Sequence, residues 1–445
     1  MFQTQRVSTA HRILPAASLL ASLLIALCVS SARADFSTCT APPPPAPAVA
    51  AFSGNPPNEG YQVMYQSMWK FIGDNYFDPT RLKNWQALEH AYDDKLGTMA
   101  DIELAFKSLA EATGDKWTTF ITQQDMREHA TLEQQGFVTG GLMLYHRGEH
   151  YKLDVIQYGS AAYNTALRER DTIECLNNVA LDSLSRAQVE TLLRGTPGEN
   201  LKVQAVSAAD GSEYAVDLSL APIPAPQVEG KLLPGNIAYM RMPSFAGEGL
   251  ITSFVDKYVE LSSQAGGNVA GLVLDLRNNL GGELPAAIKF SSLFLDESKV
   301  VTQSVLRDKP IKAVYAEKAD EIAVKGKPPL DGDLVRQLRK VPLVILINGS
   351  SASAAEVTIG ALHDNKRGTV IGVTSFGKGV GYKTQRGPVG GLMSVTAFKY
   401  LTPLGHEVHE LGIDPDVTVT VPRAETRDIQ LEAAVAKLKE QLGTK

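Results

Sequence analysis

The apolar positions of this chain change their period several times, and each change marks a segment of different structure. From Glu59 to Arg127 they recur every three or four residues. Tyr61, Met64, Tyr65, Met68, Trp69 and Ile72 form one stripe, and Leu104, Phe106, Leu109 and Ala110 another. That spacing predicts packed helices. Between about 135 and 222 the runs shorten. Segments 142–145, 152–156, 201–206 and 214–220 read as strands, interleaved with helical stretches near 161–167 and 184–193. Gly-Thr-Pro-Gly at 195–198 marks a turn, and Asp210-Gly211 sits between two strands as in a hairpin. A small α+β or barrel-like module is expected there. Beyond 225 the continuous apolar runs VAGLVLDL (269–276) and VPLVILI (341–347) have the pattern of strands buried on both faces. Helix-like segments between them call for an α/β sheet. Residues 307–332, polar and charged, read as an inserted loop or lid. The segment 427–442 carries Leu431, Ala434, Val435 and Leu438 on one face and reads as a closing helix.

Composition narrows the class. With 445 residues, 44% hydrophobic and 21% charged, the chain is globular and too long for one core. Its 43 Lys and Arg against 49 Asp and Glu give a mildly acidic balance, which argues against a nucleic-acid surface. The N-terminus has the pattern of a cleaved export signal: Arg6 and Arg12, an apolar run from Ile13 to Val29, then Ala32-Arg33-Ala34. The apolar core is short for a membrane span, and Leu27 before Cys28 does not suit a lipoprotein. A periplasmic or secreted protein is expected. Residues 41–57, APPPPAPAVAAFSGNPP, read as an extended tether. Cys39 and Cys175 remain after cleavage. An oxidising compartment permits them to pair, and two free thiols are the other reading.

The chemistry concentrates in three places. Asn348-Gly349-Ser350-Ser351-Ala352-Ser353-Ala354-Ala355-Glu356 follows a buried strand, and its small residues allow a tight strand-to-helix turn. A serine there presents its hydroxyl at a helix N-terminus, where developing negative charge is favoured. Ser353 as a plain N-cap is the alternative. The helix from Ser353 to about Asp364 leads away by roughly 16 Å at its usual rise, and a strand over 369–374 returns by roughly 17–20 Å. The loop Ser375-Phe376-Gly377-Lys378-Gly379 is therefore expected beside Ser353, with Lys378 desolvated enough to act as a base. A solvated lysine or an anion-binding loop is the competing reading. The third place is DLRNNLGG (275–282), where Gly281 or Gly282 can aim an N–H at a reacting carbonyl and, with the N–H of Ala354, form an oxyanion hole. His363 lies at the wrong end of the helix to serve Ser353, whereas His406 and His409 stay open. No His/Cys cluster has metal-ligand spacing, and no nucleotide-binding glycine pattern occurs, so no cofactor and no metal is expected.

GLVLDLRNNLGGEL (271–284), INGSSASAAEVTIGALHDNKRGTVIGVTSFGKG (347–379), GIDPDVTV (412–419) and GDKWTTFI (114–121) resemble signatures of the C-terminal processing, or tail-specific, peptidases. The resemblance implies a multidomain α/β protein: signal peptide 1–34, Pro-rich linker 35–58, helical N-terminal module 59–130, PDZ domain 131–224, a crotonase/ClpP-like serine protease core 225–425, and a C-terminal helix 426–445. It makes Ser353 the nucleophile and Lys378 the base of a Ser-Lys endopeptidase. The usual glutamine four residues after the lysine is here Tyr382, whose hydroxyl is expected to receive the amine unless Gln385 reaches in. Leu280 replaces a common proline or glycine and Trp117 a common histidine, neither expected to touch the chemistry. In the PDZ reading Gly140, Gly141, Leu142 and Met143 form the carboxylate turn and receiving strand, and Val189, Leu192 and Leu193 line an apolar pocket, with plain core packing the other reading of those three. The usual Pro-Gly-Asp turn is Glu169-Arg170-Asp171. Unfolded or tail-exposed proteins are the implied substrates, and a regulatory or adaptor protein and a homo-oligomer are open partners. A PDZ scaffold that binds tails without cutting is the alternative function, and another acyl transfer on the same fold a third.

Overall fold

A computed structural model describes residues 39–44 and 51–443, apart from 135, 137, 248, 320 and 323–329. The expected signal at 1–34 and the middle of the expected lid lie outside the described residues.

The largest core surrounds a six-stranded sheet in the order Glu229–Leu233, Ile237–Arg241, Gly271–Asp275, Leu343–Ile347, Thr369–Gly372, Val417–Thr418. Every neighbouring pair after the first is parallel. The strands Gly271–Asp275 and Leu343–Ile347 within the two apolar runs are buried at every position because each face meets its own core. Leu272, Leu274, Leu343 and Ile345 pack among the helices Gly249–Gln264, Leu284–Ser292 and Ala354–Asp364. Val273, Val344, Leu346 and Ile371 pack on Ala434 and Leu438 of the helix Ile429–Leu442, the closing helix that the apolar stripe predicts. Arg277 fixes that helix by bonding Asp428 and Gln430 while pairing with the buried Asp275. These members of the DLR run are structural.

A second sheet orders Thr119–Ile121, Leu392–Leu401, Val300–Leu306 and Lys312–Tyr315, with Val380–Arg386 also on Leu392–Leu401. Lys312–Tyr315 falls in the stretch expected as a loop, and its pairing with Val300–Leu306 gives its polar backbone partners. The strand Thr119–Ile121 comes from the helical N-terminal part, with Thr119 opposite Ser394. The helices Glu59–Asn75 and Met99–Ala112 share one apolar core with Met393 and Val395, so this part is sewn into the larger one.

The middle module is a sheet in the order Leu142–Arg147, His150–Ile156, Thr172–Leu176, Asn200–Val206, Glu213–Ser219, with the helix Arg186–Leu192 capped by Ser185. The hairpin at 210–211 forms as expected, Val206 opposite Glu213. The stretch 161–167 is not a helix. Tyr163 N–H bonds Ser160 O and Thr165 N–H bonds Ala162 O, which are turns of the tighter three-residue kind. The Thr165 hydroxyl also donates to Ala162 O, a local bond that competes with helix. Cys39 and Cys175 are disulfide-bonded, with Cα atoms 6.1 Å apart, which ties the proline-rich segment to this module. Ala41 N–H and Pro44 O bond Asn178 O and Gln188 Nε2 along the same path.

Candidate active site

Ser353 sits between the strand Leu343–Ile347 and the helix Ala354–Asp364, at φ 58° and ψ −120°. An L-residue held there is strained, and such strain gathers at functional sites. The surroundings hold it in place. Ala352 N–H donates to Asn279 O (2.9 Å), and Ser351 Oγ donates to Leu276 O (2.9 Å), fastening the turn to the neighbouring strand end.

The loop 375–379 returns to this turn, as the helix-out and strand-back lengths require. Its anchor is Glu356, a fully buried carboxylate one helical turn beyond Ser353. Oε2 accepts from the backbone N–H groups of Ser353 and Lys378, both at 2.8 Å. Oε1 accepts from Gly377 N–H and Ser375 Oγ–H, both at 2.6 Å. Burial, the largest influence, leaves the carboxyl above its usual range despite these donors. Tyr400 makes a second clamp from the strand Leu392–Leu401: its buried hydroxyl donates toward Ser353 O (3.0 Å) and Lys378 O. Glu356 thus gathers the N–H side of both residues and Tyr400 the C=O side. Glycines on both sides of Lys378 are needed. Gly377 lies at φ 90°, and a Cβ on Gly379 would stand 2.4 Å from His409 N.

Burial lowers the Lys378 pKa, Lys116 adds to the shift, and Glu356 opposes it. Its Nζ lies over two ring faces, 4.7 Å from the centroid of Trp117 and 4.8 Å from that of Tyr382. No hydrogen bond joins Nζ to Ser353 Oγ in this arrangement. The expected hydroxyl contact is therefore replaced by a ring face. Gln385 stands three residues from Tyr382 on the strand Val380–Arg386 and so on its opposite face. The expectation that Trp117 stays clear of the chemistry is corrected by its ring over the amine. Its motif was visible in the sequence, but a three-residue strand pairing brings it here. Tyr400 left no sequence signal, because it reads as one more apolar strand position.

Of the two glycines expected at an oxyanion hole, Gly281 gives its N–H to Asn279 Oδ1 (2.9 Å). It serves by lacking a side chain: a Cβ there would lie 2.8 Å from both Ser353 Cβ and Ala354 N. The N–H groups of Gly282 and Ala354 have no acceptor among the described residues. Beside these glycines a cavity of about 530 Å³ opens between the two modules, walled by Tyr158, Pro224, Pro226, Pro243 and Leu280. Among the described residues no histidine bonds Ser353. His363 faces Asp364 and Asp416, and His406 is exposed beside Asp364. His409 is partly buried, and that desolvation lowers its pKa.

In the middle module Leu142–Arg147 is an edge strand. Gly141 precedes it at φ 78°, and a Cβ there would run into Ser160. Gly140 O and Gly141 O accept from Ala162 and Gln157 N–H. Met143 is 37% exposed, while Leu142 is buried. Of the two readings of Val189, pocket lining and core, the structure fits the core: it is only 1% exposed and packs in the module core with Leu193, while Leu192 packs beside it, partly buried. The degenerate turn has a use the sequence hid: Glu169 Oε1 accepts from Ser350 Oγ (2.7 Å) and Asn348 Nδ2 (3.3 Å), just before Ser353. One trio that spacing did not reveal, His150, Glu174 and Asp182, lies elsewhere on this module with ligand atoms within 4.8 Å. His150 there already pairs with Asp182.

Residues 236–419 match the model of peptidase family S41. The chain is 28% identical to a carboxyl-terminal-processing protease of Synechocystis sp., over 86% of its own length and 89% of that protein. It is 27% identical to the carboxy-terminal processing protease CtpA of Bacillus subtilis, covering 79% and 70% respectively. It shares its fold with a photosystem II D1 C-terminal processing protease, with a TM-score of 0.67 at 24% identity over 86% of this chain and 98% of that one. The matched segment holds both the serine turn and the lysine loop, and along most of its length the chain is similar to carboxyl-terminal processing proteases.

Proposed function

We propose that the chain is an exported serine endopeptidase in which Ser353 is the nucleophile and Lys378 its base. The observation that carries this reading is the single carboxylate of Glu356 bonded to the backbone of both residues, which keeps the serine turn and the lysine loop in one fixed frame. Ser353 Oγ attacks the peptide carbonyl carbon as its proton passes to Lys378 Nζ. The carbonyl oxygen becomes an oxyanion facing the open N–H groups of Ala354 and Gly282. Lys378 returns the proton to the leaving amine, and water then releases the acyl group by the same steps in reverse order. Before attack the amine rotates from the ring faces toward Oγ. The disulfide suits an oxidising compartment and supports an exported protein.

The middle module is read as a PDZ domain that takes apolar C-terminal tails. Its edge strand offers an unpaired backbone row, and the Gly140-Gly141 turn precedes that row. The cavity at Leu280 is placed to receive an apolar side chain next to the scissile bond. The amine's position off Ser353 favours one second reading, a scaffold that binds tails without cutting. Incubating the purified protein with a disordered, apolar-tailed peptide separates the two. Fragments from the native protein, and none from Ser353→Ala or Lys378→Ala, are the expected result. Cleavage surviving in either variant refutes the mechanism, and no fragments from any form leaves the scaffold.

A further inference from the structure

Trp117 and Tyr382 are far apart in the sequence, and each stands where the resembled pattern has a hydrogen-bonding side chain, histidine and glutamine respectively. Both departures meet on one atom. The two ring faces lie 4.7 and 4.8 Å from Lys378 Nζ. They are also referred to one backbone position. Thr396 pairs with Tyr382 in the strand ladder. Its Oγ1 donates to Asp115 Oδ2 (2.5 Å), and its N–H donates to Thr118 Oγ1 (3.2 Å). Asp115 Oδ1 then accepts Trp117 N–H (3.0 Å). The indole packs against Phe376 and Tyr145, and its own ring N–H is buried without an acceptor. Packing therefore seats the ring, and ring faces hold an ammonium without hydrogen bonds.

We propose that Trp117 and Tyr382 act as one unit, an aromatic clamp that positions the Lys378 amine in place of hydrogen-bonding side chains. Trp117 is supplied from the N-terminal part of the chain, so the peptidase domain alone lacks half of the clamp. A ring facing a hydrogen-bonding side chain is a mismatched pair, since the amine then leans toward the acceptor and leaves the ring. Exchanging both restores a matched pair of the other kind. The inference rests on the reading of Lys378 as the base.

The experiment compares the mature chain with Trp117→His, Tyr382→Gln, the double variant and Trp117→Phe. It measures kcat and KM on a disordered apolar-tailed peptide. It also measures the pH midpoint of Lys378 acetylation by dilute acetic anhydride, read by mass spectrometry. Glu356 and Lys116 are the charged groups acting on the amine and are unchanged throughout. Each single exchange lowers kcat by about tenfold or more with KM within about threefold. Trp117→Phe, which keeps a ring face, stays within about threefold of the parent. The double variant recovers about tenfold over the weaker single, a coupling that independent sites do not show. The acetylation midpoint moves toward the ordinary lysine range in both singles, because water reaches the amine. Losses that simply multiply in the double variant, or a midpoint unmoved in every variant, overturn the clamp. The midpoint is readable even in a variant too unstable for turnover assays at higher temperature. If Lys378→Ala still cleaves, the base reading falls while the midpoints continue to test the clamp. If it is dead and the midpoints stay fixed, the clamp falls and the base stands.

Discussion

Ser353 carries the backbone strain of the site in a single residue, at φ 58° and ψ −120°. For an L-residue that conformation costs on the order of 1–3 kcal/mol, whereas glycine adopts it freely. Ser353→Gly and Ser353→Ala both remove the proposed nucleophile, yet the glycine variant is expected to be more stable by about 1 kcal/mol after its own entropy cost. Equal midpoints for the two in urea melts would refute the strain. Lys378 gives a second expectation. The proposed base works when neutral, and burial lowers this amine from 10.5, so activity is expected to rise with pH on a limb below that value and to be lost on acidification. In the same window folding sheds the lysine proton and the unfolded chain binds more, so stability also rises with pH. Melts at increasing pH should show that slope in the parent and lose part of it in Lys378→Met. Both residues were legible from small residues and glycines at a turn and a loop. Trp117, Tyr400 and Glu169 were not, since each is brought to the site from a distant part of the chain by strand pairing or by docking of turns that local pattern does not show.

At the scale of elements, fixed rises per residue bring the lysine loop home, and two clamps lock it there. Removing one clamp tests its share. Tyr400→Phe deletes the hydroxyl between Ser353 O and Lys378 O and should cost about 1 kcal/mol of stability. Its kcat should fall more than its KM rises, because the serine and lysine lose their common frame. Glu356→Gln turns an amide donor toward N–H donors in a buried space, and a loss on the order of 3 kcal/mol is expected in denaturant titrations. An unchanged kcat in Tyr400→Phe would remove that clamp from the mechanism. Helices and buried strands were readable because their periods repeat. The strand Thr119–Ile121 is too short to show a period, and the turns at 161–167 imitate a helix by composition until Thr165 bonds its own backbone.

At the scale of the molecule, the N-terminal helices, the middle sheet and the large parallel sheet follow one another along the chain. How they dock was not readable: the Glu169 contact with Ser350 and Asn348 joins turns far apart along the chain. The disulfide between Cys39 and Cys175 closes a span of 136 residues. A link of that reach is worth roughly 2–5 kcal/mol. Cys175→Ser, or reduction of the native protein, should lower the unfolding midpoint accordingly, and a midpoint indifferent to reductant would show that the bond carries no load. The pairing of Thr119 with Ser394 has a further consequence, one of timing. Until the strand Leu392–Leu401 leaves the ribosome, Thr119–Ile121 has no partner strand and Tyr400 does not exist. An unfinished chain owns Ser353 and Lys378 but not the Tyr400 clamp that joins them, so synthesis itself would act as a safety catch on the proposed peptidase.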